Sequence, residues 1–513
     1  MTISALNRST PVAVPVTPDL ANRANPASSG GGNGASSVVS LGGAADASGQ
    51  PLGLVWENRS HSTAANMMAH NIGNQPLAGR LQGLGGELLR QVAYDGKDFS
   101  QTVTTVPATA QNNTYDMLVA PNQPSQHGKG DNQISLDLTT VGGTKVSLTL
   151  DASDKSIAIE AHSDGSLTEP DRKALGKLAD AFQKAIDGLT SDTPRIDLSG
   201  LVQYDRNAFS AVDLKAQVKL SPNETQSLEF HATDASRSIS FNGPAGAGHV
   251  SVDLSQPASW GNEAQHTKAL DHYLQQVDQA GIRGQANTDA LGLFKDAFKQ
   301  VNSDYGTPPA PAQQGIQLSD QDRALTTGLA DFDASFTQAE TAPNPARGSE
   351  KDSFNYQVSQ TTKIGGTSQL DRSISQQQSS HLQARYHAPV SPQAKLALDL
   401  SPASQNYHYV TIDDSASSTA SIAYDKGDLK SATLVQQASQ KDRDAKYEFG
   451  KLVSDQTTPR SKAVSLDLAP LLEAPQTGVQ SLDDTQRSQL LSSLSSRVLL
   501  EANPDLVPGQ AIS

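Results

Sequence analysis

The sequence predicts an α+β protein in which a disordered N-terminal region is followed by two units, each built from a β-meander and helices. Three observations support this prediction. Apolar and polar residues alternate, as in half-buried strands, through much of residues 131–255 and 353–468. Apolar residues recur at helical spacing in separate stretches before, between and after those runs. The first 50 residues are rich in Gly, Ser and Pro, with too little apolar surface to offset the entropy of an ordered chain.

Breaks in composition divide the 513 residues into five parts. These are a disordered region that we interpret as a secretion signal (1–50), a mixed helical and linker region (51–130), a first α+β unit (131–310), a second, β-rich α+β unit with a C-terminal helix (316–500) and a flexible tail (501–513). Because runs of strands alternate with runs of helices, the pattern favours α+β over a doubly wound parallel sheet.

One helical segment and a three-stranded meander are predicted in the first half of the chain. The stretch "QPLAGRLQGLGGELLRQV" places apolar residues on one helical face, at Leu77, Leu81, Leu84, Leu88 and Val92. The stretch "NQISLDLTTVGGTKVSLTLDASDKSIAIEA" contains three alternating runs, with hairpin turns at Gly142–Gly143 and at "ASDK". Strand-like patterns return over residues 195–255.

Further helices are predicted after these strands. Two are carried by "NEAQHTKALDHYLQQVDQAG" and "NTDALGLFKDAFKQVNSDYG", and "TPPAPAQQG" (307–315) reads as a Pro-rich linker. A helix starting near Ser319 is predicted from the spacing of Leu325, Leu329, Phe332 and Phe336. A last helix, near 483–499, carries Leu490, Leu491, Leu494 and Val498.

The stretch "SLTEPDRKALGKLADAFQKAI" (166–186) has the features of a helix start. Thr168 fits the N-cap, and Asp171, three residues later, fits the reciprocal position of a capping box. Two alternatives are an anion site at the helix N-terminus and a calcium loop. The acids Glu169 and Asp171 would repel an anion, and residues 160–171 lack several ligands of an EF-hand loop. The structural interpretation therefore explains every residue.

Two short signatures recur along the chain. The helix opener Thr168-Glu169-x-Asp171-Arg172 returns as Ser319-Asp320-x-Asp322-Arg323 and, less closely, at 481–487. An apolar-Asp-Leu triplet occurs with its acid at Asp137, Asp197, Asp213, Asp253, Asp399 and Asp467. In a half-buried strand that acid faces outward, and on an edge strand it would discourage further pairing. The echoes suggest that the two units are a diverged duplication, with convergence on cap chemistry as the alternative.

The sequence offers little catalytic or metal-binding chemistry. It has no cysteine, which excludes disulfides, thiolate catalysis and Cys-ligated metals. The histidines lack metal-ligand spacing, since His266 and His272 are six residues apart, as are His381 and His387. No nucleotide-binding loop or nucleophile elbow is present, and "GPAGAGH" (243–249) reads as a strand connection. We therefore predict no catalytic, cofactor-binding or metal-binding residue and no cofactor, and we leave open whether the chain is an enzyme.

Charge and composition also bear on partners. With 54 acidic and 39 basic side chains, the formal net charge of −15 opposes binding to nucleic acid. No stretch approaches the roughly 20 apolar residues of a membrane helix, so we predict no integral membrane segment. The expected partner is a protein, either in a host or as a secretion chaperone.

Two resemblances add to this interpretation. The Ser/Thr/Pro-rich, acid-poor N-terminus and the absence of cysteine make the chain resemble substrates of bacterial type III secretion, which are threaded unfolded through a narrow channel. The order "VSLTLD…SLTEPDRKALGKLADAFQKAIDGL…IDLSGLVQYD" is similar to uncharacterised proteins of pseudomonads and xanthomonads, over about 60 residues, the scale of half a small domain. This second resemblance implies a bacterial source and a shared fold, with no catalytic residues to carry over.

The sequence thus favours a secreted, effector-like bacterial protein that binds a host or surface partner. It would reside in the bacterial cytoplasm before export by a type III route into a host cell. Two alternatives remain at this point: a carboxylate-based hydrolase, and a structural protein associated with a flagellum or another surface appendage.

Overall fold

A computed structural model describes residues 52–107, 128, 130–306, 316–391, 393–473 and 483–509. Within these residues the protein is mixed α and β, and its strands form one antiparallel sheet of 15 strands. The order across the sheet is β1-β2-β5-β4-β3-β6, after which the strands follow chain order to β15. The predicted disordered region (1–50) and the predicted linker (307–315) lie outside the described residues.

The strands lengthen toward the C-terminus. They are β1 Leu52–Glu57, β2 Phe99–Pro107, β3 Asn132–Thr140, β4 Lys145–Ala152, β5 Ser156–Ser163, β6 Phe209–Ser221, β7 Glu224–Thr233, β8 Ser236–Gly243, β9 Gly246–Asp253, β10 Asp331–Gln338, β11 Ser353–Gly366, β12 Arg372–Pro389, β13 Tyr407–Asp425, β14 Asp428–Glu448 and β15 Lys451–Asp467. The described helices are α1 Thr63–Asn71, α2 Leu77–Leu81, α3 Leu84–Asp95, α4 Glu169–Leu189, α5 Ser199–Val202, α6 Glu263–Gly284, α7 Thr288–Asn302, α8 Asp320–Ala324, α9 Ala469–Glu473 and α10 Asp484–Arg497.

The prediction of two separate β-meander-plus-helix units is wrong. Strand β9 would be the last strand of the first unit, yet its whole length pairs with β10, so that Val252 lies opposite Phe332 and Gly248 opposite Phe336. The sheet therefore continues without interruption across the predicted boundary. The physical reason is that a terminal strand leaves a row of unpaired N–H and C=O groups, which the next strand along the chain satisfies.

The helices pack on one side of this sheet, which we call the inner face. Alternate strand residues such as Leu136 and Leu148 are fully buried, and they share one apolar cluster with Phe182 and Ile186 of α4. A second cluster joins α8, α9 and α10 to the inner face of β12–β15, for example through Leu434. The predicted alternation of apolar and polar residues is thus explained by a sheet that is covered by helices on one side.

Local predictions in the first half of the chain are largely confirmed. The hairpin turns at Gly142–Gly143 and at "ASDK" connect β3 to β4 and β4 to β5. The predicted helical segment is two helices, α2 and α3, because Gly83 adopts a left-handed conformation with φ of 74°. Leu81, Leu84, Leu88 and Val92 are all buried, as the spacing predicts.

The predicted helix through Leu325, Leu329, Phe332 and Phe336 is wrong. Helix α8 ends at Ala324, and Gly328, with φ of 81°, turns the chain into strand β10. Phe332 and Phe336 are four residues apart, a spacing that places them on one face of a strand as well as of a helix. Ala334, midway between them, is also buried, so every second residue from Phe332 to Phe336 faces the core, as in a strand.

The repeated opener is a helix-starting motif in all three places. The Thr168 hydroxyl accepts from the Asp171 N–H, and the Asp171 carboxylate accepts from the Thr168 N–H at 3.0 Å. Ser319 with Asp322, and Asp483 with Gln486, form the same reciprocal pair. The capping-box interpretation is confirmed.

Replacing Thr168 with alanine is expected to lower the free energy of unfolding by about 1 kcal/mol, since one helix N–H loses its acceptor. Chemical denaturation of the full chain measures this difference. Partner binding should be unchanged, because the hydrogen bonds of Thr168 with Asp171 lie within the first turn of their own helix. A folded Thr168→Ala variant that had lost its partner would contradict the purely structural role.

The chain after α10 lies across the inner face as a strap, which we define as Val498–Ala502. Gln378 donates to the Val498 carbonyl at 2.7 Å and accepts from the Leu500 N–H at 2.9 Å. Ser418 also donates to the Val498 carbonyl, at 2.8 Å, and Gln436 donates to the Leu499 carbonyl at 3.1 Å. Three buried polar side chains of the sheet therefore form hydrogen bonds with the backbone of the strap.

No helix in the described ranges combines the length and the apolar character that crossing a bilayer would need.

Candidate partner-binding face

The side of the sheet opposite the helices, which we call the open face, is polar across almost its whole width. Successive register partners form one continuous row on it from β5 to β15. The row is Glu160, Thr149, Ser135, Lys215, Glu229, Ser240, His249, Ser335, Gln357, His381, Ser415, Ser439 and Ser461. In the described chain, the buried apolar residues of the helices join the clusters of the inner face. A loop around Leu396 and Leu398 covers one corner of the open face, above Tyr407 and Tyr447.

The two halves of the open face differ in charge. From β11 to β14 it carries mainly hydroxyls and amides, with cross-strand hydrogen bonds such as Ser359 to Ser379 at 2.9 Å and Ser421 to Thr433 at 2.8 Å. From β5 to β10, in the order of strands across the sheet, it is acidic. We call this part the acidic half, and its outward carboxylates are Asp137, Glu160, Asp213, Glu229, Asp253, Asp331 and Asp333.

The recurring triplets explain part of this acidic half. The triplet Leu136-Asp137-Leu138 pairs in register with Val212-Asp213-Leu214, so Asp137 lies directly opposite Asp213. The ring of His231, on the next strand, bonds to Asp213 through Nδ1 at 2.6 Å. The interpretation that these acids prevent further pairing at an edge strand does not apply to β3, β6 and β9, because these strands lie inside the sheet. It fits Asp467, which lies on the edge strand β15.

A second like-charge pair lies at the junction of the predicted units. Asp253 at the end of β9 is the register partner of Asp331 at the start of β10. The Thr362 N–H donates to Asp331 Oδ2 at 2.7 Å, while Oδ1 is buried and has no hydrogen-bond partner among the described residues. Burial raises the pKa of Asp331, and the charge of Asp253 acts in the same direction. The charged carboxylate of Asp331 therefore lowers the stability of the folded chain.

We expect Asp331→Asn to be more stable than the parent protein at pH 7, by roughly 0.2–1 kcal/mol, the scale of a cross-strand pair. Because the pKa of Asp331 is raised in the folded chain, protonation favours folding. The unfavourable contribution of its charged form is absent below about pH 3.9 and develops as the pH rises through the folded pKa. The advantage of the variant should therefore vanish at low pH.

Urea denaturation from pH 3 to pH 8 measures this pH dependence. The matched control is Asp333→Asn, which removes an exposed carboxylate on the same strand and should change stability by less than about 0.5 kcal/mol. An Asp331→Asn variant that is less stable than the parent at pH 7, or that differs from it equally at every pH, would refute the explanation.

Several of the described histidines bond to separate partners on different parts of the fold. His266 bonds to the carbonyl of Asn302 and His272 to that of Leu500, so both tie α6 to neighbouring segments. On the open face, His381 bonds to Asp413 at 2.9 Å and His162 to Asp98 at 2.8 Å. The described residues contain no group of three or more metal-ligating side chains arranged to hold an ion.

His387 forms the most enclosed polar cluster on this side. Its side chain is fully buried, with Nδ1 at 2.6 Å from Asp352 and Nε2 at 3.3 Å from Glu350. The Tyr407 hydroxyl donates to the same Glu350 carboxylate at 2.6 Å. A general base flanked by acids resembles catalytic machinery, but a side chain without exposure cannot meet a substrate. The cluster anchors the 344–352 loop to β12 and β13.

Asp253 and Asp331 are one pair of neighbouring carboxylates that a hydrolase could use. They do not line the clefts of about 330, 480, 630 and 780 Å³ formed by described residues. Sequence reasoning did not single out Asp331 or the pairing of Asp137 with Asp213. The sequence feature that could have indicated the pairing of Asp137 with Asp213 is the similarity of their two triplets, whose flanking apolar residues face the same core.

No protein-family model matches the sequence. No curated protein and no solved structure shows significant similarity to the chain.

Proposed function

We propose that the chain is an exported, effector-like bacterial protein that acts without catalysis by binding a protein partner, and that the acidic half of the open face binds it. The partner surface would carry lysine and arginine side chains. Charge complementarity between an acidic surface and a basic surface gives specificity and rapid association.

One observation supports this assignment above the others, namely the two like-charge pairs on an uncovered face. Like charges directly opposite each other on adjacent strands are destabilising. Asp137 opposite Asp213, and Asp253 opposite Asp331, therefore weaken the isolated protein. A basic partner would place a cation between the members of each pair and relieve the repulsion. The same carboxylates oppose the binding of nucleic acid.

The test compares two triple variants of the full chain that carry the same net charge. One replaces open-face acids, as Asp137→Asn, Asp213→Asn and Asp333→Asn. The other replaces helix acids on the opposite side, as Asp180→Asn and Asp187→Asn on α4 and Asp271→Asn on α6. We expect proteins captured from host lysate by the parent to be basic, to be lost by the first variant and to be kept by the second. Equal capture by both variants would exclude the acidic half as the binding surface.

Export is tested separately, because it rests on the N-terminal sequence. Residues 1–50 are fused to a reporter and expressed in a strain with a working type III system and in a matched strain without one. We expect the reporter in the medium of the first strain alone. If the reporter and the full chain both remain in the cytoplasm of the competent strain, the type III proposal fails while the binding proposal stands.

A further inference from the structure

A cleft on the helical side of the molecule carries more positively than negatively charged side chains, in contrast to the acidic half of the open face. It lies between α6, α8 and α10 and has a volume of about 630 Å³. This volume falls in the range of sites for small organic molecules, about 300–1,000 Å³. The cleft is on the other side of the sheet from the acidic half, so its role is independent of the proposed partner binding.

Three of the lining side chains are cationic and come from three different helices. They are Lys268 of α6, Arg323 of α8 and Arg487 of α10, and the acid that lines the cleft with them is Asp320. This local excess of positive charge occurs in a chain with a formal net charge of −15. Converging cations at a concave site attract oxyanions, and guanidinium groups bind them with paired, charge-assisted hydrogen bonds.

The cations are held in different ways. Arg323 donates through one Nη atom to the Trp260 carbonyl, which fixes its side chain at the wall of the cleft. Lys268 donates to the Ser496 hydroxyl and retains further donors on its ammonium group. Arg487 is exposed on the rim of the cleft. One fixed and two adaptable cations suit a ligand that enters from solvent.

The remaining lining groups provide a rigid wall and neutral polar contacts. The Gln265 side-chain amide donates to the carbonyls of Arg323 and Thr326, each at 2.7 Å, and so ties α8 to α6. Helix α10 lines the cleft with Ser488, Ser492 and Ser495, of which Ser495 donates its hydroxyl to the Ser492 carbonyl. These serines line the cleft together with Leu491 of the same helix.

We propose that this cleft binds a small organic molecule bearing a multiply charged oxyanion, either a phosphate group or clustered carboxylates. Lys268, Arg323 and Arg487 contact the oxyanion. The serine hydroxyls of α10 bond to the polar body of the ligand, and Leu491 with Ala324 contacts its apolar part.

Isothermal titration calorimetry of the full chain tests the proposal with two probes, inorganic pyrophosphate and citrate. Binding of pyrophosphate alone identifies phosphate as the recognised group, and binding of citrate alone identifies carboxylates. Arg487→Gln and Lys268→Gln should each weaken binding at least about tenfold, because each removes a charge-assisted contact. Asp320→Asn should tighten it, because the variant removes the acid from the cleft. Affinity should also fall as salt rises.

The matched control is Arg90→Gln, which neutralises a half-exposed arginine of α3, away from the cleft. It should bind as the parent does. Circular dichroism confirms that each variant is folded, which is expected because Arg487 and Lys268 are exposed. The proposal is overturned if neither probe binds, or if Arg487→Gln and Arg90→Gln bind equally well.

Discussion

Replacing Arg372 with alanine is expected to lower the free energy of unfolding by about 3–5 kcal/mol, the cost of leaving a buried charge without its partner. Arg372 is 8% exposed and Asp322 is fully buried, with Arg372 Nη2 at 2.9 Å from Asp322 Oδ2. The guanidinium also lies 3.7 Å from the ring centre of Tyr424 and donates to the Gln369 carbonyl. The substitution therefore removes an ion pair, a cation–π contact and a backbone hydrogen bond together.

A double-mutant cycle separates these contributions. Asp322→Ala alone should cost a similar amount, since it leaves Arg372 charged and buried, and it also removes the capping box of α8. The two substitutions together should cost markedly less than the sum of the two, because neither charge then remains unpaired. Exposed Arg385 on the same strand provides the control, and Arg385→Ala should change stability by less than about 0.5 kcal/mol. Additive costs for Arg372 and Asp322 would show that the two residues act independently.

Asp322 also shows how far sequence reasoning reaches. Its position three residues after Ser319 predicted the capping box, because both partners lie within one helical turn. Its pairing with Arg372, 50 residues along the chain, depends on where β12 lies relative to α8. Nothing in either local sequence indicates that contact.

The same difference between local and long-range contacts explains which parts of the fold the sequence predicted correctly. Hairpins such as β3–β4 are predictable because turn and flanking alternation lie within a few residues. The β9–β10 pairing joins strands separated by three helices and a predicted linker, so the break in composition suggested a boundary that the sheet does not have. The outward direction of Asp137 and Asp213 was predictable from alternation. Their position opposite each other required knowledge of which strands are neighbours.

Deletion of residues 498–513 is expected to lower the free energy of unfolding by at least about 4 kcal/mol. Val498 and Leu500 are fully buried, and Leu499 and Val507 are 7% and 2% exposed. A fully buried aliphatic side chain contributes roughly 1.5–3 kcal/mol relative to an exposed one. The deletion would also leave the side-chain donors of Gln378 and Ser418 without the Val498 carbonyl that they bond, at about 1–3 kcal/mol for each unsatisfied group.

Two milder variants keep this prediction testable if the truncated chain does not fold. Gln378→Leu removes two hydrogen bonds to the strap and should cost about 1–3 kcal/mol. Truncation after Gly509 leaves every contact described for this segment in place and should leave stability unchanged. Urea denaturation measures the free energies, and limited proteolysis should show faster cleavage within β12–β14 when the strap is missing.

Truncation after Leu500, which keeps the buried residues 498–500, distinguishes two descriptions of the C-terminus. The sequence favoured a flexible tail over residues 501–513, because "NPDLVPGQAIS" is rich in Pro, Gly and polar residues. A flexible tail would make no difference to stability when removed. In the structure, Gln276 accepts from the Ala502 N–H at 3.2 Å and Lys462 donates to the Val507 carbonyl at 2.5 Å. These contacts tie the segment to α6 and to β15. A large loss on deletion would mean that the C-terminal segment holds the helices against the longest strands of the sheet.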